Sequence, residues 1–204
     1  MLRRMLPRSL PLALIAPLML LAMLAIAACE GSPTGQAAAT VTTQPQLTPT
    51  ATATVPGGPY PVKVYFSKHP DSDNDPRTVF AVQRQSPTLG VATYAIKQLI
   101  AGPSTAERAQ GLYTPLPESL TGSSNCGGAD FTITLDHRGS KAEAGTATLQ
   151  FCRATSLAGD LTGLRITAEI TSTLTQFSNI KRVVVLTKDG ACFDDFSGQN
   201  ACLK

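Results

Sequence analysis

This sequence contains few of the residue types that most often bind metals or act in catalysis. The 204 residues include five cysteines and two histidines. Four cysteines in the second half of the chain are Cys126, Cys152, Cys192 and Cys202. They form no C-x-x-C pair, the spacing typical of zinc sites and redox-active dithiols. His69 and His137 lie in segments predicted to be loops, so the sequence predicts neither kind of site.

A run of alternating aspartates offers the strongest metal-binding pattern in the chain. Asp71, Asp73 and Asp75 in "DSDNDP" resemble the start of a calcium loop, because hard cations bind several carboxylate oxygens. The sixth position of this loop is Pro76, where an EF-hand has glycine, and the twelfth is Val82, where it has glutamate. Calcium is therefore a weak alternative to an acidic turn between two strands.

The remaining acidic residues show no catalytic arrangement. Glycoside hydrolysis requires two carboxyl groups that face each other across a cleft. Asp194 and Asp195 are adjacent and are predicted to lie in a solvated turn, and Glu169 is predicted to be exposed on the polar side of a helix. The chain also lacks a G-x-S-x-G motif, and a cysteine–histidine pair would need His137 and a free thiol. The sequence predicts no catalytic residue.

The N-terminus indicates export and lipid attachment. A basic stretch, "MLRRMLPR", is followed by an uncharged apolar run, which is the layout of a secretory signal. The run ends in Ile26, Ala27 and Ala28 before Cys29, an ending that resembles the bacterial lipobox. We expect residues 1–28 to be a signal peptide and Cys29 to carry the lipid (palmitate). A retained signal-anchor helix and ordinary secretion remain as alternatives.

Export determines how the other four cysteines are interpreted. Thiols outside the cytosol tend to form disulfides, and four cysteines allow three pairings. We favour the Cys126–Cys152 and Cys192–Cys202 pairs. The first would connect the entry of a hairpin to its exit, and the second would staple the C-terminal tail "CFDDFSGQNAC".

The net charge argues against nucleic acid as a partner. The formal charge of +3 includes 17 basic and 14 acidic residues. Three of the basic residues lie in the signal and none of the acidic ones do, so the mature chain is formally neutral. A neutral domain has no basic surface for a phosphate backbone.

Composition divides the mature chain into a linker and one domain. Residues 31–61 are rich in threonine, proline, alanine and glycine and carry no charge. Such a segment has too few apolar side chains to offset its ordering entropy. We expect residues 29–61 to be a lipidated N-terminus with a disordered linker, and residues 62–204 to be a single domain.

Hydrophobic periodicity predicts an α+β domain with the order β-β-α-β-β-α-β. Strands are predicted at 62–67 and 78–84, and at 182–190, where an apolar run is typical of a central strand. A hairpin is predicted between them: Phe131, Ile133 and Leu135 alternate with threonines in its first strand, Ala147, Leu149 and Phe151 alternate in its second, and a long polar loop joins the two. One helix would bury Leu89, Ala92, Ile96, Leu99 and Ile100, and the other Ile166, Ile170, Leu174 and Phe177. We expect two layers: a mixed sheet of about five strands with two helices on one face.

Several stretches of this domain resemble the GerMN family, which is named for a sporulation and spore-germination lipoprotein. They are "VKVYFS", "FAVQR", "ATYAIKQLIAGP", "GLYTPLPE" and "EITSTLTQFSNIKRVVVLTKDG", and they cover about residues 62–190. The resemblance implies a non-enzymatic domain of cell-envelope lipoproteins without a cofactor, with a fold similar to ring-building motifs. It implies a protein or cell-wall partner on the extracytoplasmic side of the membrane, and it is compatible with oligomerisation. The alternatives are an envelope hydrolase and a calcium-dependent wall-binding protein.

Overall fold

The computed structural model describes residues 58–204, which form eight strands, four α-helices and one 3₁₀-helix. The strands are β1 (Tyr60–Lys68), β2 (Phe80–Ser86), β3 (Leu112–Tyr113), β4 (Leu120–Thr121), β5 (Phe131–Arg138), β6 (Lys141–Phe151), β7 (Ala154–Thr155) and β8 (Arg182–Leu186). The helices are α1 (Val91–Ala101), α2 (Thr105–Ala109), α3 (Leu116–Ser119) and α4 (Asp160–Thr175), with the 3₁₀-helix at Ala201–Leu203. The α+β class and the order of the seven main elements are confirmed.

The strands form three small sheets. We expected the longer strands to lie together in one sheet. The first sheet has the order β2-β1-β3, the second pairs β4 with β7, and the third has the order β5-β6-β8. The third sheet is mixed, because β6 is antiparallel to β5 and parallel to β8. Helices α1 and α4 pack against each other and both contact β1, while α4 also contacts β8.

Helix α4 explains why the first sheet stays small. On one side β1 pairs with β2 along seven residues. On the other side, side chains from α4 and its C-cap accept hydrogen bonds from alternate β1 amides. The three bonds join Lys63 to Gln176 at 2.7 Å, Tyr65 to Thr173 at 3.1 Å, and Ser67 to Glu169 at 3.1 Å. The helix thus supplies the acceptors that a neighbouring strand would otherwise provide.

Helix α1 begins later than its apolar pattern predicts. Ala95, Ile96 and Leu99 are fully buried, as expected for its inner face. Leu89, however, precedes the helix and is 60 % exposed, so the prediction that it belongs to the buried stripe is wrong. The helix ends at Gly102, whose φ of +77° favours glycine and whose amide bonds the carbonyls of Gln98 and Leu99.

Helix α4 buries the predicted stripe almost completely. Ile166, Ile170 and Leu174 have no exposed surface. Phe177 lies beyond the helical residues and packs against the core while partly exposed. The apolar stripe therefore continues past the end of the helix.

The β5–β6 hairpin has the two predicted strands but not the predicted long loop. Phe131 lies opposite Phe151 and Ile133 opposite Leu149, as the alternating pattern requires. Both strands extend much further than expected, so only residues 139–140 connect them. The register of the two strands shifts near Asp136, whose φ is +56°. The polar stretch of the hairpin is therefore an irregular part of the paired strands.

Strand β8 is an edge strand, so the prediction of a central strand is wrong. It pairs with β6 on one side, and on the other Leu186 forms only an isolated bridge with Cys192. Val184, Val185 and Leu186 are nevertheless buried, because α4 covers one face and the C-terminal tail follows the strand. Within residues 58–204, no helix combines the length and apolar character needed to cross a bilayer.

Two disulfides hold the loops around the third sheet. Cys126 bonds Cys152 with a Cα–Cα distance of 5.6 Å, and Cys192 bonds Cys202 with a Cα–Cα distance of 5.9 Å. This is the pairing favoured from the sequence. The stapled tail rests against the hairpin turn, where a Cβ on Gly139 would lie 2.8 Å from Leu203.

Candidate functional site

A long groove separates helix α1 from the outer edge of β5. It consists of two adjoining depressions of about 530 Å³ and 300 Å³, both lined by Thr93. We call it the α1–β5 groove and define it by its two walls. The walls are Val91, Ala92 and Ile100 on the helix side and Phe131, Ile133 and Leu135 on the strand side, with Leu89 at one end.

The strand wall of this groove offers backbone hydrogen-bonding groups. The carbonyl of Asp130 accepts a bond from the Cys152 amide at 2.8 Å, which places that residue in a hydrogen-bonded pair with the neighbouring chain. Bonded and non-bonded pairs alternate along an antiparallel ladder. Phe131, Ile133 and Leu135 therefore direct their backbone groups away from β6. No strand in residues 58–204 pairs along this edge.

The groove also exposes apolar side chains. The large hydrophobic residues with the greatest exposure in the described part of the chain are Leu89, Leu135, Leu161 and Phe196. Two of them, Leu89 and Leu135, line the α1–β5 groove. Fully burying such a side chain stabilises a complex by about 1.5–3 kcal/mol. An exposed apolar patch beside an open strand edge is typical of a protein-interaction surface.

Charge contributes little to this surface. Lys97 and Asp130 are the charged residues in the groove lining. Asp130 is engaged by Arg153, whose guanidinium lies 3.3 Å from the carboxylate. Recognition in the groove would rest on shape, apolar contact and backbone pairing, the features of strand addition to a sheet edge.

Glu169 is the second notable feature, and its predicted exposure is wrong. The residue has no exposed surface. One carboxylate oxygen accepts bonds from the amide and hydroxyl of Ser67 at 3.1 and 2.8 Å, and the other accepts from the Thr114 hydroxyl at 2.6 Å. Burial raises the pKa of Glu169 to about 7, although these donors and nearby Arg165 oppose the rise.

This buried carboxyl group connects three parts of the fold. It joins α4 to the end of β1 and to the segment that follows β3. Since protein groups donate to both oxygens, the arrangement serves as a structural connection between these elements. A signal for its burial was present in the sequence: Glu169 lies three residues after Ile166 and directly before Ile170, which places it beside the apolar stripe.

The aspartate loop uses its carboxylates to hold its own conformation. Asp75 accepts bonds from the Arg77 amide at 3.0 Å and the Thr78 hydroxyl at 3.1 Å, and these bonds lower its pKa. Asp73 contacts His69 Nδ1 at 2.7 Å, and Asp71 lies 4.0 Å from the Lys68 ammonium. Each of the three aspartates thus has a different partner. The described residues contain no group of three His, Cys, Asp or Glu side chains placed to hold a metal ion.

A stack of rings connects this loop to α4. The rings of His69 and Tyr113 lie 4.1 Å apart and nearly parallel. The Arg165 guanidinium lies 5.1 Å from the centre of the Tyr113 ring, and it also donates to the carbonyl of Ser72 at 2.9 Å. The stack fixes the loop against the same helix that carries Glu169.

The other candidate residues occupy separate places. His137 lies in β5 and not in the predicted loop, because the hairpin strands extend further than expected, and its Nδ1 is 2.9 Å from the carbonyl of Leu135. Asp195 accepts bonds from the side chain and amide of Ser197 and from the Ala201 amide, and these bonds lower its pKa. Its neighbour Asp194 lines a depression along α4. The predicted lipid anchor, Cys29, lies outside the described residues.

Comparison with known proteins gives a family for this domain. The model of the Germane family, described as "Sporulation and spore germination", matches residues 63–191. The chain is also similar to the tandem GerMN domains of the sporulation protein GerM from Bacillus subtilis, with 21 % identity and a TM-score of 0.39. That match covers 72 % of this chain and 48 % of the other, so this chain spans about half of the tandem. No curated protein matches the chain significantly. Since the family model spans more than half of the 204 residues, the protein belongs to the Germane, or GerMN, family of sporulation and spore germination domains.

Proposed function

We propose that this protein is a cell-envelope lipoprotein whose domain binds or assembles with another envelope component without catalysis. Cys29 carries the lipid, residues 29–61 form a stalk, and residues 62–204 are displayed on the extracytoplasmic side. The partner is an envelope protein that presents an extended, weakly charged segment.

The α1–β5 groove is the observation that carries the binding role. It combines the open edge of β5 with exposed Leu89 and Leu135. An extended segment would gain main-chain hydrogen bonds from the edge and would remove apolar surface from water along the helix. Membership of the Germane family supports a role in sporulation or germination complexes.

The alternatives have less support from the described residues. A hydrolase would need an accessible acid or nucleophile, but Glu169 is buried with both oxygens bonded. The four cysteines after Cys29 are joined in disulfides. A calcium-dependent wall-binding protein would need converging aspartates, and Asp73 and Asp75 turn to separate partners.

The binding role is tested by the size of complexes formed by the full-length protein after mild detergent extraction. Leu135→Asp places a charge in the groove, and we expect it to shift the protein from large complexes to the monomer. Leu161→Asp is the matched control, because Leu161 is a similarly exposed leucine on α4. Large complexes that survive Leu135→Asp unchanged would contradict the proposal.

The lipid anchor is tested separately by metabolic labelling with palmitate and by the mass of the mature N-terminus. We expect labelled protein that begins at Cys29, and no label in Cys29→Ala. A wild-type chain that retains residues 1–28, or label that persists in the variant, would show that the anchor is wrongly assigned.

A further inference from the structure

We infer that the α1–β5 groove receives the β5 strand of a second copy of this chain. The two strands pair antiparallel about a two-fold axis at Ile133, so that the third sheet continues through both copies. This inference deepens the proposed function, because it rests on the same groove and names a second copy as the partner.

Both ends of the open β5 edge are closed within the domain. At one end the Ala129 amide donates to the Cys126 carbonyl, and the Ala129 carbonyl accepts from the Ser124 hydroxyl. At the other end Asp136, whose φ is +56°, departs from extended backbone, and the register with β6 shifts. The outward-facing residues between these two ends are Phe131, Ile133 and Leu135.

The spacing of these three residues is complementary to itself. They lie two positions apart, so a second β5 centred on Ile133 places Ile133 opposite Ile133 and Phe131 opposite Leu135. Each outward amide then meets an outward carbonyl of the other copy. The Leu135 carbonyl lies 2.9 Å from His137 Nδ1, and it keeps a second lone pair for this pairing. The use of one patch by both partners is the rule for a two-fold symmetric dimer.

The side chains of this row are complementary as well. Phe131, Ile133 and Leu135 line the groove together with α1. In the paired strands the same apolar row of the second copy lies beside them on the same face. Leu135, which is 43 % exposed in the single domain, is then removed from water.

The charges at the ends of the paired strands also agree. The register brings Asp136 of the second copy towards Asp130, whose carboxylate already lies 3.3 Å from Arg153. Lys97 lines the same depression as Asp130, and it forms no ion pair within residues 58–204. The second carboxylate therefore arrives where an unpaired ammonium group is available, which is electrostatic complementarity between the two copies.

The test is disulfide crosslinking between full-length chains in mild detergent, with single cysteines placed at two exposed threonines of β5. In the inferred register Thr132 lies opposite Thr134 of the second copy, with Cα atoms about 4.5 Å apart, and a disulfide can form at that distance. Two copies of Thr132 would lie about 8 Å apart, which is beyond the reach of a disulfide.

We expect a mixture of the Thr132→Cys and Thr134→Cys proteins, which carry tags of different size, to give at least fivefold more crosslinked dimer than either protein alone. Adding Leu135→Asp to both chains should remove this excess. Adding Leu161→Asp, the control outside the groove, should leave the yield within twofold. No excess from the mixture, or an excess that survives Leu135→Asp, would overturn the inference.

Failure of this inference can be told apart from failure of the proposed function. If the mixture gives no excess while Leu135→Asp still abolishes the large complexes, the groove binds a different protein and a second copy is not the partner. If the mixture gives the excess while the large complexes resist Leu135→Asp, two copies pair through β5 and the larger complexes are held together elsewhere.

Discussion

Glu169 makes the stability of this domain depend on pH in an unusual direction. Its pKa in the folded protein is about 7, above its ordinary value of 4.5, because burial disfavours the charged form. The unfolded chain therefore loses its proton at lower pH than the folded one. By linkage, the folded state is favoured most when the carboxyl group is protonated, so stability falls as pH rises from about 4.5 to 7.

The size of this effect follows from the shift in pKa. A difference of about 2.5 pH units corresponds to roughly 3 kcal/mol, which is the upper limit of the stability lost across that range. Glu169→Gln keeps the shape of the side chain and removes the titration. Its amide oxygen can still accept from Ser67, and its NH₂ group can donate to the Thr114 hydroxyl instead of accepting from it. One imperfect hydrogen bond would cost about 1 kcal/mol.

The assay is urea denaturation at a series of pH values between 4.5 and 8. We expect the free energy of unfolding of wild type to decrease across this range relative to that of Glu169→Gln, so that the two curves cross. The substituted protein should be less stable near pH 5 and more stable near pH 8. Glu118→Gln, an exposed glutamate in α3, should follow the wild-type curve. Parallel curves for wild type and Glu169→Gln would refute the reasoning.

Three further predictions concern the stability of the fold. Replacing Cys126 and Cys152 together by serine should lower the free energy of unfolding by about 3 kcal/mol, since this bridge closes a loop with a sequence separation of 26. The measurement is urea denaturation, and an unchanged midpoint would contradict the prediction. Glu107 is held by Arg84 through two bonds of 2.8 and 2.7 Å, and this contact is the main reason its pKa is lowered to about 2. Its stabilising effect should be complete above pH 4.5 and be lost as pH falls through about 2. A double-mutant cycle at pH 7 should give a coupling of about 1 kcal/mol that is strongly reduced at pH 2, and an equal coupling at both pH values would contradict this. Leu174→Ala should destabilise the domain by about 2–5 kcal/mol in thermal or urea unfolding because the side chain has no exposed surface; a cost below 1 kcal/mol would show that the site is loosely packed.

The sequence predicted those parts of the fold that local patterns determine. Alternation in "FTITL" and "ATLQF" predicted the two strands of the hairpin, in which the structure places Phe131 opposite Phe151. The spacing of Ile166, Ile170 and Leu174 gave the buried face of α4. Such patterns reflect the period of a strand or helix, so they are readable without knowledge of the tertiary partner.

The parts that were missed depend on tertiary partners. Glu169 reads as a polar helix residue, and its burial follows from the amide of Ser67, which lies 102 positions earlier in the chain. The same contacts explain why β1 does not join a larger sheet. The position of Glu169 beside Ile166 and Ile170 indicates that it lies near the core, but no sequence pattern identifies the distant strand groups that its carboxylate binds.

The groove was missed for a related reason. Leu89 and Leu135 belong to apolar patterns, and Leu89 was expected to be buried, but both lie where an element begins or reaches a sheet edge and both are exposed. Whether such residues are covered depends on where neighbouring elements end, which the hydrophobic period does not record. The error at Leu89 therefore marks one end of the candidate binding surface.

The central claim, that the α1–β5 groove is where this domain meets its partner, is tested most directly by site-specific photo-crosslinking in cells. A photoreactive amino acid at position 135 should give one discrete crosslinked product that is lost when Leu89 is replaced by Asp. The same amino acid at position 161, on a leucine outside the groove that is more exposed than Leu135, should give none. Equal crosslinking from both positions, or none from position 135 in cells where the protein is in large complexes, would contradict the account.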